Sequence, residues 1–326
     1  MAALYAGRRI PEAPGLARML EVLSITLPIF ILIALGFAAT RFGTTTSSDI
    51  QALGVFVLQY ALPALVFKSL AQRPFSEIAN GGYLLVYTVG SLLVFAVMFA
   101  LARALRPGDL SNNAIQALGS SASNSGFVGY PIALLLVGPS ASVALALSMV
   151  TENVVIIPLA LTLAEAAAGG GSERSVVLRN LVRRLSRNPQ IIAIVLGAAA
   201  SLVGLHPPAP VAKAVDMVAL ASAPVALFVV GGTLVGLKIG GVIADVGRIV
   251  AGKLIGHPLA ILAALTLVPS LDPGLRKAML ILASSPMITI FPLLGRRFGQ
   301  ERVGAAALMA ATGLSFLTIS ALLFFL

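Results

Sequence analysis

Cysteine and tryptophan are absent from the 326 residues, and only two histidines occur. Without cysteine there can be no disulfide, no thiol nucleophile and no thiolate metal site. His206 and His257 stand too far apart in sequence to suggest a metal centre. Charge is scarce as well: 10% of residues are charged, against about 25% in soluble domains. The sequence has no HExxH, no Walker A run and no G-x-S-x-G, so a non-enzyme without cofactors is expected.

What is abundant is apolar length. Hydrophobic residues make up 58% of the chain and the mean hydropathy is +1.01, which marks an integral membrane protein. Apolar runs near 20 residues, the length that crosses a bilayer, fall at about 21–40, 50–70, 82–104, 111–137, 140–164, 189–205, 211–237, 243–268, 274–295 and 303–326. The first could pass for a signal peptide, but the repeat described next argues for a retained span. The net charge of +10 would suggest nucleic acid in a soluble protein. Here the Lys and Arg residues sit mostly in connectors, and topology with anionic lipid explains them without a nucleic-acid partner.

Two halves align at one offset: Pro28 with Pro189, Gly36 with Gly197, Pro63 with Pro224, Phe67 with Phe228 and Pro131 with Pro292. The division is an N-terminal segment 1–19, a first five-helix repeat 20–164, a basic cytoplasmic loop 165–188 and a second five-helix repeat 189–326. An odd number of spans per half makes the second repeat inverted, a signature of secondary transporters. Arg41, Arg103, Arg106, the central-loop arginines, Lys238, Arg248 and Arg296 share one side, which the positive-inside rule places in the cytoplasm. Both termini then lie outside a cell inner (plasma) membrane. The expected class is all-α with ten transmembrane helices, the fourth and ninth broken.

The fourth span would measure about 39 Å as one helix, against about 30 Å of hydrocarbon. It is interrupted by Ser123-Asn124-Ser125-Gly126-Phe127-Val128-Gly129-Tyr130-Pro131, and the ninth by the corresponding Ser284-Ser285-Pro286-Met287-Ile288-Thr289-Ile290-Phe291-Pro292. Glycine and proline cost roughly 1 and 3 kcal/mol in a helix interior, and backbone freed inside a bilayer must face protein or a water-filled cavity. Pro131 and Pro292 each suit the first turn of a following half-helix, whose N-terminus favours an anion. The carbonyl ends of the preceding half-helices could hold a cation. A plain proline kink without ligand is the simpler alternative. The candidate substrate residues are Ser123, Asn124, Ser125, Gly126, Gly129, Pro131, Ser285, Pro286, Thr289 and Pro292. Asn124 can donate to and accept from a substrate oxygen, or it can cap the broken helix.

Candidates for ion coupling or buried charge are Glu152, Asn153, Lys253 and His257. Glu152 lies near the centre of the fifth span, where a charge costs at least roughly 2.5 kcal/mol unless protected. It could exchange a proton, bind sodium, or be paired for stability. Lys253 and His257, four residues apart, share a helix face. Lys253 could attract an anion, pair with Glu152, or snorkel to an interface. His257 reads as a satisfied helix-end residue, Asp216 as an interface residue, and Gly36, Gly197 and Gly231-Gly232 as close-packing positions.

Asn124-Ser125-Gly126-Phe127-Val128-Gly129-Tyr130-Pro131 resembles the fourth-span motif of the auxin efflux carrier family. The likeness extends to Leu62-Pro63-Ala64-Leu65-Val66-Phe67, Asn188-Pro189-Gln190-Ile191-Ile192-Ala193 and Ala223-Pro224-Val225-Ala226-Leu227-Phe228. The short central loop is closer to bacterial members, including malonate-type carriers, than to long-loop plant PIN proteins. The resemblance implies ten spans in two inverted repeats, crossovers in the fourth and ninth, an elevator-like motion, and transport of small organic anions. It assigns Asn124 and the Pro131 and Pro292 crossovers to the substrate site. Ser285-Pro286 stands where the fourth span has Asn124-Ser125, a departure from the motif. The alternatives are a sodium- or proton-coupled symporter or antiporter of the bile-acid or sodium/proton type, and a non-transporting membrane receptor. Proton or sodium coupling and a homodimer remain open.

Overall fold

The computed structural model describes residues 15–168, 185–205, 207–236 and 243–326, with residues 179, 182 and 183 between them. Most of the expected N-terminal segment, Gly169-Gly170-Gly171 and Arg174 of the central loop, and Lys238 lie outside the described residues. Among the described residues the chain is all helical, without strands, in the order α1 (Gly15–Arg41), α2 (Ser47–Ala71), α3 (Gly81–Leu105), α4 (Leu110–Ser121), α5 (Ser125–Val137), α6 (Ser140–Ala167), α7 (Pro189–Val203), α8 (Ala209–Thr233), α9 (Ile243–Leu267), α10 (Pro273–Ser284), α11 (Phe291–Arg296) and α12 (Glu301–Phe325). Seven helices are long and apolar enough to cross a membrane, and α5 and α7 are shorter apolar helices. The chain is a multi-pass membrane protein.

Proline shapes these helices in a repeated way. Four π-turns, Val57–Ala61, Ser125–Gly129, Thr151–Ile156 and Gly252–Gly256, each end two residues before a proline: Pro63, Pro131, Pro158 and Pro258. Proline lacks an N–H and its ring clashes with the carbonyl four residues back. Widening the turn before it relieves that clash while the chain stays helical. Three of these π-turns carry Ser125, Glu152 and Lys253.

Close packing follows the glycines. A Cβ at Gly36 would lie 2.0 Å from the Phe228 carbonyl oxygen, and one at Gly231 would lie 1.8 Å from that of Ile33, so α1 and α8 meet backbone to backbone. A Cβ at Gly197 would stand 3.1 Å from the Phe67 carbonyl oxygen, where α7 meets α2. Small residues permit such approach. Helices α3, α4, α6, α9 and α12 pack among themselves around a second buried apolar cluster running from Val94 to Ala311. Its base is tied by the buried Asp245, which pairs with Arg248 and, at 2.8 Å, with Arg106.

Candidate functional site

Two helices stop inside the protein. After α4 the chain becomes extended at Ala122, and after α10 at Ser285. The two stretches pair: Ser123 forms an isolated antiparallel bridge with Met287, and the Asn124 N–H donates to the Pro286 carbonyl at 2.7 Å. Main-chain groups freed by each break thus satisfy the other, as a buried break requires. Pro131 and Pro292 both stand in the first turn of α-helical geometry. The helical chain before Pro131 begins earlier, however, at Ser125, because the π-turn accommodates the proline. The two following helices are unequal, since α5 continues to Val137 whereas α11 has only 6 residues.

Around Ser123 lies a buried polar network. Lys253, fully buried, donates to Ser123 Oγ at 2.7 Å, the Ala283 carbonyl at 2.6 Å and His257 Nδ1 at 2.8 Å. With Lys253 as an ammonium, which has three donors and no acceptor, all three are used and His257 Nδ1 is the acceptor. His257 Nε2–H therefore faces Ser91 Oγ, 2.9 Å away. Snorkelling of Lys253 is excluded by this burial, and His257 has partners on both ring nitrogens. Glu152 Oε1 accepts from Ser125 Oγ at 2.7 Å, Tyr87 OH at 3.1 Å and the Ser123 N–H at 3.3 Å. No direct ion pair joins Glu152 and Lys253 among the described residues; Ser123 links them through its N–H and its hydroxyl.

A cavity of about 570 Å³ opens beside this network. Of the residues singled out from the sequence, Ser123, Asn124, Ser125, Gly126, Glu152, Asn153 and Thr289 line it. Gly129, Pro131, Ser285, Pro286, Pro292, Lys253 and His257 do not; Lys253 and Pro286 reach it only through their hydrogen bonds to Ser123 and Asn124. Asn124 Nδ2 donates to Thr289 Oγ1 at 2.9 Å across the two breaks. Asn153 holds the Met149 carbonyl and accepts from Asn188 Nδ2 at 3.2 Å, which ties α6 to the cap of α7. The opposite wall comes from Ser47, Gln51 and Gly54 of α2 and from Val229, Gly232 and Thr233 of α8. Glu152 is the single charged side chain among the described lining residues.

Several contributors escape a sequence reading. Tyr87 supports Glu152 and Ser91 supports His257, while Tyr83 pairs with Ser148 at 2.8 Å. Their spacing of four residues along α3, at 83, 87 and 91, is a polar stripe on one face of an apolar helix, and that signal was available. Ser47, Gln51, Gln190 and Thr233 carried none, because they face the cavity only through the tertiary arrangement. Asp216 pairs with Lys68 at 2.8 Å, both partly exposed. Among the described residues no group of acidic, histidine or cysteine side chains could hold a metal ion.

Residues 22–324 match the family model described as membrane transport protein, the auxin efflux carrier family. The chain belongs to this family. It is similar to a protein of Rhizobium meliloti (strain 1021) named "Putative malonate transporter", with 33% identity over 94% of this chain and 96% of the relative. It is also similar to "Uncharacterized transporter YfdV" of Escherichia coli (strain K12), with 28% identity over 72% of this chain and 76% of the relative. Homologues named as transporters agree with a non-enzyme whose cavity lies within the membrane bundle.

Proposed function

We propose that this auxin efflux carrier family member is a secondary active transporter of small organic anions, with malonate-like carboxylates as the first class to test. The observation that carries the reading is the cavity at the paired breaks. Its floor is the first turn of α5, whose N–H groups have no intrahelical partners and, with the helix dipole, favour a carboxylate. Asn124 and Thr289 add side-chain hydrogen-bonding groups on either side of the break. The similarity to a relative named for malonate points to the same chemistry.

Ten spans in two inverted repeats fit this arrangement, with α4–α5 and α10–α11 each counted as one broken span. The reciprocal contacts support it: Gly36 meets Phe228 while Gly197 meets Phe67, and both pairs keep the same offset in swapped order. The cavity lies where α2 and α8 face the breaks and α6, so sliding one group past the other would expose the site alternately. Its rim includes Ser47, Gln190 and Thr233 at helix ends next to the connectors that the positive-inside rule assigns to the cytoplasm. An inward-open state, an elevator-like motion and outside termini are the corresponding proposals.

Reconstitution in liposomes tests the function. Labelled malonate and a panel of other carboxylates should accumulate under an imposed proton or sodium gradient, and Asn124→Ala should lower the rate at least roughly tenfold, as expected for losing a hydrogen bond to a charged ligand. Absence of flux for every carboxylate, or undiminished flux in Asn124→Ala, would reject it.

A further inference from the structure

We propose that Glu152 carries the proton of this transporter: the organic anion and one proton on Glu152 occupy the site together, and sodium has no place beside this carboxylate. The proposal rests on the reading of the cavity as an anion site and adds its coupling chemistry.

Three observations carry it. First, the groups around Glu152 Oε1 are all hydrogen-bond donors: Ser125 Oγ, Tyr87 OH and the Ser123 N–H. A hard cation needs a shell of oxygen acceptors; at Oε1 the Ser123 N–H supplies none, and the two hydroxyls are engaged as donors to the carboxylate. Secondly, two of the carbonyls that a broken helix would offer to sodium already accept from the protein itself. The Ala283 carbonyl accepts a hydrogen bond from Lys253 and the Pro286 carbonyl accepts one from the Asn124 N–H. Lys253 is thus a tethered cation filling a place where a free one could sit. Thirdly, the cavity is lined by a carboxylate and by no Lys or Arg among the described residues. An anion entering beside ionised Glu152 would meet a like charge in a site of low dielectric, which strongly disfavours it.

Protonation resolves that conflict. The titratable groups facing Glu152 are Tyr87, with Tyr83 stacked on it, from α3, and Lys253 with His257 from α9 through Ser123. With Glu152 ionised, it and Lys253 cancel. With Glu152 neutral, Lys253 leaves one net positive charge behind Ser123 to balance the substrate. Proton and anion therefore favour one another, and the coupling is reciprocal. The free oxygen Oε2 is the atom that takes the proton, since Oε1 already accepts three bonds.

Infrared difference spectroscopy of the purified protein in lipid tests this without requiring transport. In wild type a protonated-carboxyl band should appear as pH falls, vanish in Glu152→Gln, and keep the same midpoint when sodium replaces choline. Adding malonate should increase the band. The malonate affinity, measured above the range where malonate itself titrates, should fall by about tenfold per pH unit, the slope of one linked proton; in Glu152→Gln it should be flat. A sodium-dependent midpoint, a band unchanged in Glu152→Gln, or malonate bound with no change in the band would overturn the proposal. Failure of every carboxylate to bind would reject the anion-site reading, while the sodium arm would still decide whether Glu152 takes a proton or a metal ion.

Discussion

The two breaks pair with each other but are built differently. The first, Ala122–Asn124, sends Ser123, Asn124 and Ser125 toward the cavity or the Lys253–Glu152 network, and it opens a helix that runs to Val137. The second, from Ser285 to Ile290, contributes the Pro286 carbonyl to Asn124, one hydroxyl from Thr289, and a following helix of 6 residues, while the last turn of α10 before it offers the Ala283 carbonyl to Lys253. The two breaks thus match in backbone arrangement and differ in chemistry. In the proposed function the first break carries recognition, and the second holds it in place.

Four substitutions sharpen that contrast, from the largest effect to the smallest. Lys253→Met should be the most damaging, because it strands the buried Ala283 carbonyl at about 1–3 kcal/mol for an unsatisfied group and removes the shortest hydrogen bonds of Ser123 Oγ and His257 Nδ1. A fall in thermal unfolding temperature together with loss of malonate flux is expected, and a fully stable variant would contradict the network. Asn124→Ala should weaken malonate affinity by roughly tenfold to a hundredfold, the range of about 1.5–3 kcal/mol for a hydrogen bond to a charged group. Isothermal titration would show it. Thr289→Val should cost a few-fold in affinity, near the roughly 1 kcal/mol of one neutral hydrogen bond, with stability close to wild type. Pro292→Ala should change flux least, since the first-turn N–H it restores needs no helical partner; flux lost as completely as in Asn124→Ala would show that the second break is an equal partner.

The packing glycines give an independent check on the frame. Gly231→Ala would push a methyl into the Ile33 carbonyl region of α1, with an overpacking cost of about 1–3 kcal/mol. Gly313, with open space around its position in α12, is the control, and Gly313→Ala should hold or slightly raise the unfolding temperature of the detergent-solubilised protein.

Much of this was legible in the chain. Proline and glycine at a common offset pointed to the breaks, and Gly36 and Gly231 stand at helix contacts where only the absence of a side chain fits, with Gly197 at a tight one. Buried charge was visible at Glu152, which could not face lipid, whereas Lys253 could as well have snorkelled to an interface. Their relation was not: whether they paired directly depended on the register of α6 against α9, and Ser123 intervenes. The position of the first helix start was also hidden, because Pro131 marks α-helical geometry while the π-turn before it moves the true start to Ser125. Tyr87 escaped notice because an aromatic residue in an apolar helix reads as core until a carboxylate is placed beside its hydroxyl. Ser47, Gln51 and Gln190 could be found only from the tertiary fold, as each belongs to a helix far in sequence from both breaks.

The most direct test of the account is equilibrium binding of labelled malonate to purified wild type, Asn124→Ala and Thr289→Val in parallel. The account predicts that Asn124→Ala loses at least roughly tenfold in affinity while Thr289→Val loses only a few-fold. Equal losses, or the opposite order, would contradict the claim that recognition resides at the first break.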